Sequence, residues 1–446
     1  MRIGILTSHP IQYQAPYFRA LAQVVDLHVY FAHRPTPEQQ GIGFGKIFEW
    51  DVDLLSGYTH TFLHNVSRHP GSDSFGGCDT PEIAEIIATN KEQGATSENE
   101  KGGKLQSSSL KPQSGSQFDA FIVSGWYLKS YWQAVRACRR NKIPVLVRGD
   151  SQLLTPRSRL KQLVKEVVYR ITLRQFDGFL VVGQRNREYL AHYAVPADKM
   201  FFAPHFVDND WFRGKAEIAR KQREEMRKEW GADEETLVIL FVGKFISKKR
   251  PGDLLQAMIR LRDTTVLTPT RSTEERFPLQ GERVEVRANQ KSKFLAVFVG
   301  SGELESELRE MASRENLRVH FAGFKNQTEL PSYYTAADVL VLPSDGGETW
   351  GLVVNEAMAC GLPAIVSDAV GCAPDLIETG RTGFSYPVGN VDQLAERLSA
   401  FIHLHNENQE YFSHSLRRKS DAFSLNVAVR GTIAAIESLT VEIQAK

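Results

Sequence analysis

The chain has 446 residues, more than one hydrophobic core usually organises, so two domains with a cleft between them are expected. Its 42% hydrophobic and 24% charged content is typical of a globular protein, and the formal net charge of +1 argues against a nucleic-acid partner. Four widely spaced cysteines lack the pairing of a zinc site or a disulfide framework, which favours a reducing, cytoplasmic setting. The start does not have the pattern of a signal peptide, and no apolar run of about 18 residues predicts a membrane span.

The first half alternates strands and helices in the manner of a parallel α/β domain. Arg2–Thr7 predicts a buried strand that opens into a Ser-His-Pro loop. Further strands are predicted at Leu27–Phe31, Ala120–Val123, Val145–Val147 and Gly178–Val182, and helices at Tyr131–Arg140 and Leu160–Gln175. We therefore predict a Rossmann-like domain over residues 1–205.

A second α/β series follows the polar helix predicted at Lys215–Trp230. It begins with LVILFVGK at Leu237 and continues with FLAVFVGSG, VHFAGF, DVLVLPS and PAIVS. Pro, Asn and Asp interrupt the periodicity between Ala203 and Arg213, which places the domain boundary there. We predict a second Rossmann-like domain over residues 206–424 and a final helix over residues 425–446.

Two polar segments interrupt this alternation. Residues 92–117 are rich in Gly, Ser, Lys and Gln, and residues 264–292 are similarly polar. Such compositions do not offset the entropy of ordering, so we predict that both segments are loops without catalytic roles and that residues 92–117 form a disordered surface insertion.

The segment VLVLPSDGGETWGLVVNEAMACGLPAIVS, residues 339–367, predicts an anion site. An apolar strand ends at Pro343, a Gly-Gly loop follows, and a helix runs from about Leu352 to Cys360. Backbone N–H groups at the helix start, together with the helix dipole, suit a diphosphate.

Glu348 and Glu356 flank this helix start and can both reach a ligand laid over it. The alternative is that one carboxylate is a dipole partner and the other a solvated helix residue. Glu356, however, lies among apolar helix residues where an unpaired charge is costly, so we expect a polar group to meet it.

Cations follow the first strand of the second domain, at Lys244 after Gly243 and at Lys248–Arg250. Binding sites in parallel sheets form outside the carboxyl ends of the strands, so these cations are expected to converge with the Gly351 loop on one crevice. Fixed lysine charges there would stabilise a diphosphate leaving group without a metal. A solvated turn is the alternative for Lys248–Arg250. Neither a Gly-x-Gly-x-x-Gly fingerprint nor a Walker loop supports an oxidoreductase or ATPase.

These residues resemble the GT-B retaining glycosyltransferases of family 4, or group 1, whose mark is a Glu, seven residues and a second Glu. Here the pair is Glu348 and Glu356, within GGETWGLVVNEAMACGLPAIVSD. The first half is similar to members that begin SHPIQYQAP and contain WDVDLLSGY. The resemblance implies two Rossmann-like domains that face each other across a cleft, with the final helix crossing back to the first domain.

The resemblance also implies the role of each site residue. Glu348 would contact the hydroxyls of the donor sugar and Glu356 the ribose, while the lysines and the backbone amides would meet the diphosphate. The residues implied in donor binding are Gly243, Lys244, Lys249, Gly351, Leu352 and Glu356. Lys244 stands where most members have Arg, so a bidentate phosphate contact becomes a point charge.

Many members carry a His at the end of the strand that reads IPVLV here, near the reacting sugar, but this sequence continues RGD. Asp150, Arg148 and His9 are therefore the candidates for the residue on the reacting face, beside Glu348. The expected activity is retaining, metal-independent, front-face hexosyl transfer (EC 2.4) from a UDP- or GDP-sugar to a glycan or lipid-linked acceptor in polysaccharide biosynthesis. The alternatives are a sugar phosphorylase, a nucleotide-sugar epimerase, or an inactive nucleotide-sugar-binding protein.

Arg157–Arg174 predicts a basic amphipathic helix. The ordinary interpretation is a helix that covers the first sheet and exposes its basic face. The alternative is peripheral attachment at the inner face of an anionic membrane, where a lipid-linked acceptor would be found.

Overall fold

The computed structural model describes residues 1–88, 118–263, 294–407 and 411–444. Two parallel β-sheets, of seven and six strands, organise these residues. The prediction of two α/β domains is therefore confirmed. The predicted polar insertions at 92–117 and 264–292 lie outside the described residues.

The first sheet has the strand order β3-β2-β1-β4-β5-β6-β7, and every neighbouring pair is parallel. Its strands are β1 Arg2–Thr7, β2 Asp26–Phe31, β3 Thr59–Phe62, β4 Ala120–Val123, β5 Val145–Gly149, β6 Gly178–Val181 and β7 Met200–Phe202. The helices of this half are α1 Ala15–Ala22, α2 Pro37–Gln40, α3 Glu82–Ala88, α4 Lys129–Arg140, α5 Arg159–Thr172 and α6 Gln184–His192. Central strands such as β4 are buried along their whole length, as expected for a parallel sheet covered on both faces.

The second sheet has the order β10-β9-β8-β11-β12-β13 and is also parallel throughout. Its strands are β8 Leu237–Val242, β9 Phe294–Val299, β10 Val319–Gly323, β11 Val339–Leu342, β12 Ala364–Ser367 and β13 Gly383–Tyr386. Ten helices belong to the described part of this half and the segment after it: α7 Asn209–Ala219, α8 Arg223–Glu229, α9 Pro251–Asp263, α10 Glu305–Arg314, α11 Leu330–Ala336, α12 Leu352–Ala359, α13 Ala373–Leu376, α14 Val391–Glu407, α15 Ser413–Ala422 and α16 Leu425–Gln444.

The final helix, α16, packs against the first sheet and not against the second. Ala435 and Ile436 share a buried cluster with Ile3 and Ile5 of β1. The hydroxyls of Tyr17 and Thr432 lie 2.7 Å apart. The chain therefore passes between the domains twice, after β7 and again before α16.

The polar helix predicted at Lys215–Trp230 begins earlier and is interrupted. Asp208 caps α7 by accepting the backbone N–H of Trp211 at 3.0 Å, which starts the helix at Asn209. A 3-10 turn at Arg220–Gln222 then separates α7 from α8.

The ordinary interpretation of the basic helix is wrong. None of the residues of α5 is buried, so this helix does not cover the first sheet with its apolar face. Across the described stretches of the chain, we find no helix long and apolar enough to cross a membrane.

Candidate functional site

The loop between β11 and α12 forms one wall of the cleft and ends at Gly351. Gly351 has φ +99°, and a β-carbon there would lie 2.9 Å from a methyl carbon of Leu342. Only glycine fits this backbone without strain. The turn starts α12 at Leu352, and the first amides of a helix have no intrahelical acceptor. These amides are available to an anion.

Glu348, in the same loop, forms an ion pair with Lys249. Both side chains are nearly buried, at 14% and 13% exposure. Lys248, in contrast, is exposed, and Arg250 pairs with Asp253 at 2.8 Å. The alternative of a solvated turn therefore fits Lys248, whereas Lys249 contacts the Gly351 loop through Glu348.

Glu356 is buried one turn into α12, and its Oε2 accepts the hydroxyl of Tyr334 at 2.6 Å. Tyr334 is the polar partner that the sequence required but did not identify. Burial raises the pKa of Glu356 to about 7, although Tyr334, Gln327 and Lys249 act in the opposite direction. Near neutral pH this carboxyl is therefore divided between its neutral and ionised forms.

Lys244 lies at the mouth of the cleft, where the first domain reaches over the second. Its Nζ donates to the carbonyl of Ile42 and lies 4.8 Å from the ring centre of Phe44. Burial, with the charges of Lys248 and Lys249, lowers the pKa of Lys244. The contacts with Ile42 and Phe44 fix the side chain of Lys244 against the segment after α2.

We call residues 41–51, which carry this contact, the cover segment. Its Phe44 and Phe48 pack on Phe324 of the second domain, with ring centres 4.9 and 4.5 Å apart. The carbonyl of Phe44 accepts the hydroxyl of Ser301 at 2.6 Å, and Asp51 accepts from Thr328. The cover segment thus spans the carboxyl ends of β8, β9 and β10.

Asp150, directly after β5, reaches across the cleft to residues 343–351, the loop between β11 and α12. We call this loop the donor loop, because the resemblance to family 4 implies a sugar donor there. Oδ2 of Asp150 accepts the hydroxyl of Thr349 at 2.7 Å and lies 3.7 Å from Nε2 of His205. Desolvation would raise the pKa of Asp150, but the neighbouring His205 and the hydrogen bond from Thr349 hold it below its ordinary value. Asp150 is therefore ionised at neutral pH. It is hydrogen-bonded to Thr349, the residue that follows Glu348.

Sequence reasoning missed His205, which lies in the linker between the domains and is 5% exposed. Its ring contacts Tyr13 and Trp350, and burial lowers its pKa. Among the described residues, neither ring nitrogen has a hydrogen-bond partner. The pattern of Pro204 and His205 after a short strand gave no local signal for this contact.

The other two candidates for the reacting face have different surroundings. Arg148 donates to the carbonyls of Ala203 and Pro204 at 2.6 and 2.8 Å, so its guanidinium is held by the linker and not by the donor loop. His9 lies in the loop after β1, with Nδ1 3.0 Å from the hydroxyl of Ser8. Burial, with a smaller effect of His33, lowers the pKa of His9 to about 4, so its imidazole is neutral at pH 7.

Gln152 joins the two domains at the back of the cleft. It is fully buried, and its Nε2 lies 3.0, 3.0 and 3.1 Å from the carbonyls of Gly346, Glu348 and Ala369. An uncharged residue of this kind carries no signal in the sequence, because its acceptors lie about 200 positions away. The loop that carries Glu348 is therefore positioned by the first domain as well as by the second.

The described stretches contain no group of three or more His, Cys, Asp or Glu side chains placed to hold a metal ion. The four cysteines are buried and unpaired by disulfides.

Residues 222–418 match the family model described as "Glycosyl transferases group 1". The match includes Lys244, Lys249, Glu348 and Glu356. These residues form a group 1 glycosyltransferase domain.

The chain is similar to curated proteins over part of their length. The sulfoquinovosyl transferase of Arabidopsis thaliana is 32% identical over 134 residues, 29% of this chain and 25% of that protein. A D-inositol 3-phosphate glycosyltransferase of Geodermatophilus obscurus is 28% identical over 330 residues, 72% of this chain and 65% of that protein. This chain therefore spans from a quarter to about two thirds of the length of these relatives.

The group 1 domain and the preceding half together have the GT-B architecture. The crystal structure of Anabaena HepE in complex with UDP superposes with a TM-score of 0.65 at 15% identity, covering 98% of this chain and 100% of that one. At this identity the likeness shows the fold alone.

Proposed function

We propose that the chain is a retaining glycosyltransferase of family 4, in the subgroup that begins SHPIQYQAP. It transfers a sugar from a nucleoside-diphosphate donor to a glycan or a lipid-linked acceptor, in the class of hexosyltransferases. The complexes of Anabaena HepE with UDP and with UDP-glucose favour a UDP-sugar over a GDP-sugar as the first donor to test.

One observation carries this proposal: the nearly buried ion pair of Lys249 and Glu348 beside the start of α12. Burying two charges together is costly unless other groups complete their interactions. A diphosphate over the α12 amides would accept from Lys249, and a sugar hydroxyl would donate to Glu348. Lys249 and Glu348 would then hold the two groups on either side of the bond that breaks, the diphosphate and the sugar.

In the reaction, the bond between the anomeric carbon and the diphosphate oxygen breaks, and its electron pair leaves with the diphosphate. Lys244, Lys249 and the α12 amides stabilise the charge that grows there, which requires no metal in the proposed mechanism. The acceptor hydroxyl bonds to the same face of the sugar and gives its proton to an oxygen of the departing phosphate. Anomeric configuration is thereby retained.

Asp150 is the group we assign to the acceptor side. Its carboxylate is ionised, is fixed by Thr349, and belongs to the domain opposite the donor loop. Accepting a hydrogen bond from an acceptor hydroxyl would orient that hydroxyl toward the sugar. His205, in contact with Asp150 and with Trp350, is a positioning residue for this carboxylate.

Product analysis tests the proposal. Purified protein is incubated in EDTA with UDP-sugars and GDP-sugars and with a panel of saccharide and lipid-linked acceptors, and the products are followed by NMR. We expect a new glycoside with the anomeric configuration of the donor and one equivalent of released nucleoside diphosphate. A sugar 1-phosphate would instead indicate a phosphorylase, an epimerised donor would indicate an epimerase, and nucleotide binding without products would indicate an inactive protein.

Two further results would overturn the mechanism. A covalent sugar adduct trapped on a carboxylate would exclude the front-face step. Turnover that appears only after addition of a divalent cation would exclude the metal-independent donor site.

A further inference from the structure

The apolar face of the amphipathic helix α5 is exposed to solvent. Six apolar residues lie on its solvent side, with exposures from 42% to 73%: Leu160, Leu163, Val164, Val167, Val168 and Ile171. An apolar face of this size on a helix of a water-soluble domain ordinarily packs on a core. Here none of the six residues is buried against the described part of the chain.

The polar side of α5 holds the helix on the protein. Nε2 of His192, on α6, lies 2.8 Å from the carboxylate of Glu166, and Arg170 donates to the carbonyl of His192 at 3.4 Å. Nζ of Lys165 lies 4.6 and 4.7 Å from the ring centres of Tyr169 and Tyr189. The outward direction of the apolar face is therefore fixed by contacts on the opposite side.

Basic residues border the apolar face. At 3.6 residues per turn, Arg159 and Arg170 fall on one border and Lys161 on the other. Residues 157–174 contain six basic residues and one acidic residue. This arrangement, apolar in the centre and basic at the borders, is that of helices lying in the interface of an anionic bilayer.

We propose that α5 docks on an anionic lipid bilayer, with its apolar face in the acyl boundary and its basic borders at the headgroups. The charge decides between this occupant and a second copy of the chain. Two copies of α5 would bring their positive borders together and repel each other, whereas anionic lipids neutralise both borders.

Docking would place the cleft near the membrane. Arg159, at the start of α5, follows Gln152, at the back of the cleft, by seven positions. A chain of this length spans at most about 25 Å. A lipid-linked acceptor in the same bilayer would then be within reach of Asp150; this consequence rests on the proposed function, but the docking itself does not.

Vesicle flotation without nucleotide or acceptor tests the docking. Vesicles of phosphatidylcholine alone are compared with an equal mixture of phosphatidylcholine and phosphatidylglycerol. The double variant Leu163→Asp, Val167→Asp removes two apolar contacts at positions that are 68% and 64% exposed, so the core is untouched. Ile218→Asp, 64% exposed on α7, is the matched control.

We expect the wild type and Ile218→Asp to float with the phosphatidylglycerol vesicles and to be released as salt is raised. The partition coefficient of the double variant is expected to fall at least about tenfold, with its thermal unfolding and nucleotide binding unchanged.

Equal binding to neutral vesicles, or unchanged binding of the double variant, would overturn the proposal. A dimer in sedimentation that dissociates in the double variant would overturn it in favour of a second copy. Because nucleotide binding is measured separately, failure of the docking and failure of the proposed function are distinguishable.

Discussion

The hydroxyl of Thr349 donates to the carboxylate of Asp150 at 2.7 Å, so that the donor loop of one domain is hydrogen-bonded to the strand end of the other. The contact joins the residue next to Glu348 with the residue that replaces the expected His. It fixes a carboxylate at the point where the two substrates of the proposed reaction would meet.

Asp150→Asn is expected to lower kcat by roughly a hundredfold, because a neutral amide orients an acceptor hydroxyl less well than an ionised carboxylate. Thr349→Val, which removes the hydrogen bond but keeps the carboxylate, is expected to cost roughly tenfold. Both are measured as release of nucleoside diphosphate in the presence of acceptor. Binding of the nucleotide, followed by thermal shift, is expected to stay at the wild-type level in both. Wild-type turnover in Asp150→Asn would remove Asp150 from the site.

Lys249→Ala is expected to weaken binding of the nucleoside diphosphate at least tenfold. The substitution removes a cation from the diphosphate and leaves Glu348 nearly buried without its partner, where it repels phosphate. A ligand at about 100 times its dissociation constant stabilises the wild type by about 2.7 kcal/mol, and a tenfold weaker ligand by about 1.4 kcal/mol. Thermal shift in EDTA makes this comparison. Lys228→Ala, an exposed lysine on α8, serves as the control and is expected to match the wild type; equal shifts in both variants would argue against a diphosphate at Lys249.

Glu356→Gln is expected to become more stable relative to the wild type as pH rises from about 5 to 7. The pKa of Glu356 is raised to about 7 in the folded protein, so between its ordinary value and pH 7 the folded state holds a proton that the unfolded state releases. Stability that depends on this proton is lost as pH rises, by at most about 1.4 kcal/mol per pH unit, and the loss levels off above the folded pKa. Urea denaturation of both proteins over this pH range measures the difference, and a constant difference would show that the pKa is not raised.

The same variant is expected to bind nucleotide more weakly at pH 8, where the wild-type carboxylate is ionised and accepts from a ribose hydroxyl. Wild-type affinity itself should fall as pH is lowered through about 7, because the protonated carboxyl accepts less strongly. Titration calorimetry at pH 6 and pH 8 tests this. Affinity that does not change with pH, and is equal in Glu356→Gln, would place the ribose elsewhere.

Gln152→Ala is expected to lower the free energy of unfolding by about 1–3 kcal/mol, because buried carbonyls of the donor loop lose their donor. The same loss favours an opened cleft, which small-angle scattering would detect as a larger radius of gyration. Gln184→Ala is the matched control, because its exposed side chain donates to Glu188 in the same helix while its backbone N–H keeps the contact to Asp375. Unchanged stability and an unchanged radius of gyration would show that Gln152 does not join the domains.

The sequence predicted the features that local patterns encode. Apolar runs located β1, β8 and β11, and the Gly-Gly loop before an apolar helix located the start of α12. The Glu348 and Glu356 spacing likewise lies within one segment. The resemblance to a family connected these local patterns, and the two-domain architecture followed.

What the sequence could not predict depends on contacts between distant residues. Tyr334 meets Glu356 from α11, Gln152 meets Glu348 from the other domain, and His205 meets Asp150 from the linker. No local sequence pattern predicts any of these three contacts. The ordinary interpretation of α5 was wrong for a related reason, because an amphipathic pattern specifies that a helix has an apolar face but not what that face contacts.

The packing of α16 on the first sheet has a consequence for synthesis. Ala428, Ala435 and Ile436 complete a cluster that also contains Ile3 and Phe18. While the ribosome is still producing the second domain, α16 is absent from that side of the first sheet, and the apolar surface that it will cover is open to chaperones and to other nascent chains. The half that is made first is therefore finished last, and a variant that slows folding of the second domain would prolong the exposure of the first.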